Sequence, residues 1–487
     1  MIEQLHQVIE EIEHRWCAKR LTVIGDVMLD KYIWGDVGRI SPEAPVPVLR
    51  ATHSSNQPGG AANVAMNLVR LGAKAHVVGF AGGDEDERLL QESLVSNGIV
   101  PQFVFSEGFP TVSKLRILGA RQQMLRIDYE RIGARPKKDQ DRLIDAAFAV
   151  LPGSDAIILS DYAKGVLTQD VCQRIIRQAR NLKIPILVDP KNADFFTYRG
   201  ATTICPNLKE LSQALHLDTE DTNVLFDAAD QIIPQLDIEF LTTTMSERGI
   251  ALLRPGNRYQ VAAAARQVYD VSGAGDTVVA VLALSIASGL KLETAAQLAN
   301  VAAGVVVGKV GTVPIEKHEL IAALTPELAL QPQNKIVSRD ELVTRVALWR
   351  LNGESVVFTN GCFDLLHVGH IALIEQARRL GNRLIVAINS DSSVSSLKGP
   401  KRPIVKERER VQILAALAAV DAVTIFEELT PLQVILATRP DVIVKGGDYD
   451  PEMIVGAQEI QSWGGQVRIV PIVEGFSTTH LIERSQT

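Results

Sequence analysis

Two short stretches carry residue types at spacings suited to phosphate chemistry. Asp270–Thr277 reads DVSGAGDT. Gly273, Ala274 and Gly275 are small enough for backbone N–H groups to approach an anion closely. The apolar run that follows predicts a helix whose N-terminal amides and dipole point at the same place. Asp276, in the first turn, would accept a proton from a hydroxyl held beside that anion, which is the layout phosphoryl transfer needs. A plain aspartate cap after a glycine turn fits the same eight residues. Thr359–His370 reads TNGCFDLLHVGH. His367 and His370, three apart, share a helical face; Gly369 lets a phosphate near the backbone, and the helix start attracts anions. Two imidazoles there suit charge stabilisation on an α-phosphate as pyrophosphate departs. A metal pair would lack the third ligand that H-E-x-x-H supplies, and two surface histidines are the plain alternative.

These stretches need elements to hold them. Leu21–Gly25, Ala75–Gly79, Ala156–Ser160, Ile184–Asp189 and Phe240–Thr244 predict buried parallel strands, with helices such as Ala61–Leu71 and Gln169–Asn181 between them. Residues 31–57 and 100–130 lack helical period and predict a small accessory sheet. A second α/β series starts near Ser355, and the prolines of Leu324–Ser338 place a linker before it. The domains expected are 1–325, a linker and connecting helix over 326–354, and 355–487. Gly304–Lys309 (GVVVGK) lacks the spacing and Ser/Thr of a P-loop and predicts helix interior; GAGD lacks the third glycine of a dinucleotide site.

At 487 residues the chain is too long for one ordinary core. Its 46% hydrophobic and 22% charged residues exclude a disordered chain. A net charge of −7 argues against nucleic-acid or membrane-surface partners, while phosphate sites need only local positive potential. Cys17, Cys172, Cys205 and Cys362 form no C-x-x-C spacing, so reduced core thiols and a cytoplasmic location are expected. MIEQLHQVIEEIEHRW predicts an amphipathic helix rather than a signal peptide, and Thr277–Ser288 is too short for a membrane span.

Over residues 12–325 the sequence resembles the ribokinase-like (PfkB) carbohydrate kinases, through GDVMLD at Gly25–Asp30, Gly59-Gly60 with Asn63, NLKE at Asn207–Glu210, and Asp270–Thr277. The resemblance implies Asp276 as catalytic base and Gly273–Gly275 as anion hole. It implies sugar contacts from Asp26, Asp30, Gly59, Gly60 and Asn63, and from Lys191. Asn207 and Glu210 would organise Mg2+ and its waters, while Ser246, Glu247, Gly249 and Asn300 fall where such kinases bind nucleotide. The irregular β stretches would be the family's lid and a homodimer contact.

Residues 355–487 resemble the H-x-G-H nucleotidyltransferases of the cytidylyltransferase-like family. That likeness implies catalytic His367 and His370, with nucleotide or phosphate contacts from Asn360, Gly361, Phe363, Asp364, Gly369, Asp391, Lys398, Lys445 and Gly446. GFSTT at Gly475–Thr479 resembles the family's phosphate turn, with Phe476 where isoleucine is usual, and brings in Ser477 and Thr478. Arg402 and Arg410 lie in a basic run, KGPKRPIVKERER, that otherwise predicts a solvated face.

The fold expected is α/β throughout: a ribokinase-like three-layer domain with a small β lid, followed by a Rossmann-like nucleotidyltransferase α/β domain. The fusion resembles the bifunctional heptose kinase and adenylyltransferase family of bacterial ADP-heptose synthesis. That resemblance implies ATP-dependent phosphorylation of D-glycero-β-D-manno-heptose 7-phosphate at O1, then AMP transfer from ATP to heptose 1-phosphate. ATP and Mg2+ are the expected cofactors, the metal riding on the ATP phosphates without a dedicated protein cage. A separate heptose bisphosphate phosphatase is an implied functional partner. Lys191, Arg39, Arg121 and Arg126 are candidates for holding the 7-phosphate. The alternatives are the same fusion on another sugar phosphate, with CTP in the second domain, and a non-catalytic nucleotide sensor.

Overall fold

Leu21–Gly25 and Ala156–Ser160 are buried along their whole length, as strands covered on both faces must be. A computed structural model describes residues 2, 4–119, 122–219, 221–263, 270–309, 311–325, 332–351, 353–447 and 450–470. The chain divides into two compact units, Met1–Leu324 and Thr325–Thr487.

The first unit contains β1 (Arg20–Gly25), β2 (Val27–Ile40), β3 (Pro47–Gly60), β4 (Lys74–Ala81), β5 (Val100–Phe105), β6 (Val112–Gly119) and β7 (Gln122–Tyr129). Then come β8 (Ala156–Ser160), β9 (Ile186–Asp189), β10 (Thr203–Ile204), β11 (Phe240–Thr244), β12 (Ile250–Arg254) and β13 (Asn257–Val261). Nine of these form one sheet in the order β13-β12-β11-β10-β9-β8-β1-β4-β5, parallel except for the β11-β12-β13 hairpins. Alternation along β8 feeds two cores. Ala156 and Ile158 face helices Ala61–Arg70, Ala274–Ala287 and Leu292–Val306; Ile157 and Leu159 face Lys137–Val150, Gln169–Asn181 and Thr222–Leu236. Three layers result. Helix Ala274–Ala287 is apolar nearly all round because it is buried in the first of these layers.

The accessory sheet is β3-β2-β6-β7. One part of the expectation fails: Val100–Phe105 is not in it but pairs with β4 as the edge of the main sheet. A mostly apolar, half-exposed edge strand (VPQFVF) carries too little alternation to be told from a lid strand. Gly304–Lys309 closes helix Leu292–Val306 and runs into a turn instead of lying in its interior. All four cysteines are free thiols, but Cys17 is exposed rather than in the core. Val8, Ile12 and Trp16, four apart, bury the N-terminal helical segment against the first core.

The second unit contains β14 (Val356–Gly361), β15 (Arg383–Asn389), β16 (Ala422–Phe426), β17 (Val442–Gly446) and β18 (Gln466–Val470), all parallel, in the order β16-β15-β14-β17-β18. Helix Arg339–Leu351 contributes Leu342 and Val346 to this unit's core. No helix among the described residues is long and apolar enough to cross a membrane.

Candidate functional sites

In both sheets the strand order reverses beside the first strand, between β1 and β8 and between β14 and β17. Open parallel sheets bind ligands outside the carboxyl ends of strands at such a point. Asp26 and Tyr162 leave the ends of β1 and β8 in the first unit. In the second unit the segment running to His370 leaves β14, and Gly446 closes β17.

In the first unit Gly273, at φ +78°, caps helix Ala274–Ala287. Ala274 N–H donates to Val271 and Thr277 N–H to Gly273, while those of Gly275 and Asp276 have no intrahelical acceptor. A side chain on Gly275 would project into open space, so a ligand has room there. Asp276 is 4% exposed. Its Oδ2 accepts from Asn63 Nδ2 at 2.6 Å and its Oδ1 from the Tyr162 hydroxyl at 2.6 Å. Burial pushes its carboxyl up to about 6, against the pull of the two donors. The next residue, Thr277, donates to Asn67 Oδ1, one turn beyond Asn63, so two contacts lock this helix to Ala61–Arg70.

Asp276, Gly273 and Gly275 line a cavity of about 190 Å³ with Asn207, Glu210 and Lys191. Asn207 caps helix Leu208–Ala214 in a reciprocal box with Glu210, whose carboxylate also pairs with Lys191 at 2.9 Å. Asn207 is thus a helix cap that also faces the cavity. Asp161 and Asp189 line it too. Burial raises both carboxyls, Asp161 to about 6; for Asp189 the charges of Asp276 and Glu210 add to the effect. So dense a cluster of carboxylates suits a cation-bearing phosphate chain.

Asp26 turns inward and accepts backbone N–H groups from Tyr162, Lys164 and Val166. Asp30 is buried and paired with Arg116 at 2.5 Å. Gly59 and Gly60 are tight: a Cβ would come within 2.3 Å of Asp30 Oδ2 and 2.4 Å of Asp26 O, respectively. Exposed Ser246 and Glu247 and buried Gly249 form a turn after β11, apart from the cavity lining, and Asn300 donates to Ala262 O at 2.7 Å. Arg39 is exposed on the accessory sheet, Arg126 pairs with Asp128, and Arg121 lies outside the described residues.

In the second unit His367 caps helix Val368–Arg378, and Gly369 and His370 lie in its first turn. The two imidazoles stack with centroids 3.8 Å apart, and Phe363 packs on His370 at 5.1 Å. Burial lowers both, His370 to about 4 with the help of His367 and Lys398, so both rings are neutral near pH 7. Lys445 Nζ donates to Asn360 O at 2.9 Å across the switch point, and burial brings its ammonium down to about 8. Gly361 and Gly446 end their strands beside them. Lys398 is exposed, and Ser477 and Thr478 lie outside the described residues.

Asp364, Asp391 and the two arginines form the frame of this site. Asp364 is buried and accepts from Ile404 N–H, Val405 N–H and Arg402 Nε. Arg410 is also buried, donating to Asp391, Cys362 O and Val405 O. The basic run is thus only partly a solvated face; two of its arginines are internal crosslinks, which charge patterning cannot distinguish. Asp364→Ala would strand the part-buried Arg402 guanidinium and two N–H groups at a cost of about 3 kcal/mol. The expected reading is a lower midpoint for heat inactivation of nucleotidyl transfer, with that of phosphorylation unchanged.

The sequence marks DYAKG at Asp161–Gly165 only as a stretch resembling heptose-kinase loops, and it assigns no role to Tyr162, Lys114 or Arg116. Lys114 lies 5.9 Å over the Tyr162 ring and acts electrostatically on Asp276. The only available signal was DYAKG after a buried strand; Lys114 and Arg116 sit in an unremarkable lid strand.

Comparison with known proteins agrees with this geometry. The profile of the pfkB family carbohydrate kinases matches residues 18–318, and the cytidylyltransferase-like profile matches 358–485. Over 484 residues the chain is 60% identical to a bifunctional protein HldE of Koribacter versatilis, covering 99% of this chain and all of that one. A bifunctional protein HldE of Magnetococcus marinus is 46% identical, covering 98% and 99%. Phosphofructokinase-2 from Escherichia coli superposes with a TM-score of 0.55 at 20% identity, covering 63% of this chain and 99% of its own, a likeness of fold alone. With a reactive side chain at each switch point and full-length identity of this order, the chain belongs to the family of bifunctional HldE proteins, a pfkB-type carbohydrate kinase joined to a cytidylyltransferase-like nucleotidyltransferase.

Proposed function

We propose that the first unit phosphorylates heptose 7-phosphate at O1 with ATP, and that the second transfers AMP from ATP to heptose 1-phosphate. The observation that carries this reading is a helix N-terminus with a reactive side chain at the switch point of each sheet, in a chain alike over its whole length to bifunctional HldE proteins.

In the kinase step the acceptor oxygen attacks the γ-phosphorus and its proton passes to Asp276. The bond from that phosphorus to the β–γ bridging oxygen breaks, and ADP leaves with the electron pair. Free N–H groups at Gly275 and Asp276 receive the charge on the transferred group. Asn207 and Glu210, in the acidic rim, would hold Mg2+ and its waters, which would supply charge neutralisation on the ATP phosphates. In the second step an oxygen of the sugar 1-phosphate attacks the α-phosphorus and pyrophosphate leaves. His367, His370 and Lys445 would donate to the α-phosphate. Asp26, Asp30, Gly59, Gly60, Asn63 and Lys191 would shape the sugar side of the first pocket, and Asp364, Asp391 and Arg410 would frame the second. A homodimer through the accessory sheet, a separate bisphosphate phosphatase acting between the steps, and a cytoplasmic setting complete the proposal.

The test supplies purified protein with heptose 7-phosphate and ATP, and separately heptose 1-phosphate with ATP or CTP. ADP release in the first and pyrophosphate release with ATP in the second are expected. Preference for CTP, or for a hexose phosphate, would overturn the substrate assignment.

A further inference from the structure

We infer that Tyr162 is the positioning residue of the phosphoryl-transfer base: its phenol donates to Asp276 Oδ1 and holds that carboxylate, as an anion, in the orientation the acceptor hydroxyl meets. The inference rests on Asp276 being the base. Each carboxylate oxygen of Asp276 carries one built-in donor, Asn63 on Oδ2 and Tyr162 on Oδ1, both at 2.6 Å. That arrangement fixes the plane of the carboxylate and leaves further lone pairs for a substrate hydroxyl.

The phenol is not free to swing. Asp26 Oδ2 accepts the N–H groups of Tyr162 at 2.8 Å and Lys164 at 3.0 Å, and its Oδ1 accepts that of Val166 at 3.3 Å. Asp161 Oδ1 accepts Ala163 N–H at 2.7 Å, with Ala163 at φ +56°, and Asp161 Oδ2 accepts the Tyr198 hydroxyl. Two carboxylates at the ends of β1 and β8 thus clamp the loop whose one large side chain reaches the base. Burial, then the charge of Asp276, hold the phenol well above its usual range, so it stays the donor. The other charged groups around Asp276 are Asp30 on β2, Lys114 on β6, Asp161 after β8 and Asp189 on β9, with Glu210 and Lys191 beyond. Among the described residues only Asn63 and Tyr162 hydrogen-bond to the carboxylate; without the phenol, burial is opposed by Asn63 and the more distant Lys114.

Tyr162→Phe keeps the ring beneath Lys114 and removes one donor to the charged form, so ionisation of Asp276 must move to higher pH. The measurement is kcat/KM for the sugar phosphate against pH at saturating MgATP, as the ratio of wild type to variant, which cancels the substrate's own titration. Expected is a loss of about tenfold at pH 5.5 that shrinks below about twofold by pH 8.5, as a pKa raised by about one dictates; KM stays within about twofold. Recovery at high pH also shows that the variant is folded. A ratio independent of pH, a loss carried by KM, or inactivity at every pH would overturn the inference. If Asp276→Asn kept phosphorylating, the base assignment itself would fail; an inactive Asp276→Asn beside an unshifted Tyr162→Phe profile would defeat this inference alone.

Discussion

Asp276→Asn is expected to lower phosphorylation by about 10³-fold or more while nucleotidyl transfer stays within about twofold, because general-base catalysis alone supplies roughly 10²–10⁴. The substitution is mild for the fold. The amide oxygen can still accept from Asn63, and the amide nitrogen can donate to the phenol oxygen of Tyr162, whose own O–H alone loses its acceptor. Stability should rise. Burial raises the Asp276 carboxyl from its ordinary value to about 6, so the folded state binds the proton more tightly than the unfolded chain. Stability from this group is full below the unfolded pKa and is lost as pH climbs through 6; at pH 7 the ionised carboxylate costs up to about 3 kcal/mol. Asparagine removes that cost, and calorimetry of the inactive variant should show a higher melting temperature. The wild-type acid limb of phosphorylation should then lie near pH 6, and activity should fall about tenfold per pH unit below it. A variant that stayed active, or one that lost nucleotidyl transfer as well, would contradict two independent sites.

How much of this was legible in the residues depends on the range of the interaction. DVSGAGDT and HVGH are local: small residues, a helix start and a reactive side chain fall within one turn, so sequence suffices to place Asp276 beside open N–H groups and His367 against His370. The buried strands LTVIG and AIILS were legible for the same reason, since full burial leaves an unbroken apolar run. Contacts between distant segments were not. Tyr162 reaches Asp276 across 114 positions, and Asp364 meets Arg402 across 38. A tyrosine in a loop or an arginine in a basic run carries no mark of a partner that only the strand order supplies. Lys191 lies between these cases: the family likeness pointed to it, but only the fold shows its ammonium paired with Glu210 in the lining of the cavity that holds Asp276.

His370→Ala should reverse the first result, with nucleotidyl transfer falling about 10²–10³-fold and phosphorylation unchanged, because loss of one preorganised donor to a developing oxyanion costs that much. The stacked pair explains why a donor here is fully available. Burial and the neighbouring His367 hold His370 near 4, so it enters the reaction as a neutral imidazole, needing no counter-ion. Its ring is also held by Phe363, so truncation removes a donor and a packing contact together. His370→Asn restores an N–H donor of similar reach and should recover part of the rate, which separates donation from packing. Charge on the phosphate must then come from Lys445, whose ammonium is lowered to about 8 by burial. Because the lysine is needed in its charged form, kcat/KM for nucleotidyl transfer should decline as pH rises above about 8, and Lys445→Arg should carry that limb beyond the measurable range. An alkaline limb that persisted unchanged in the arginine variant would remove Lys445 from the phosphate site. A fully active His370→Ala would remove the imidazole pair from the chemistry and leave helix Val368–Arg378 with only its backbone amides to meet the triphosphate.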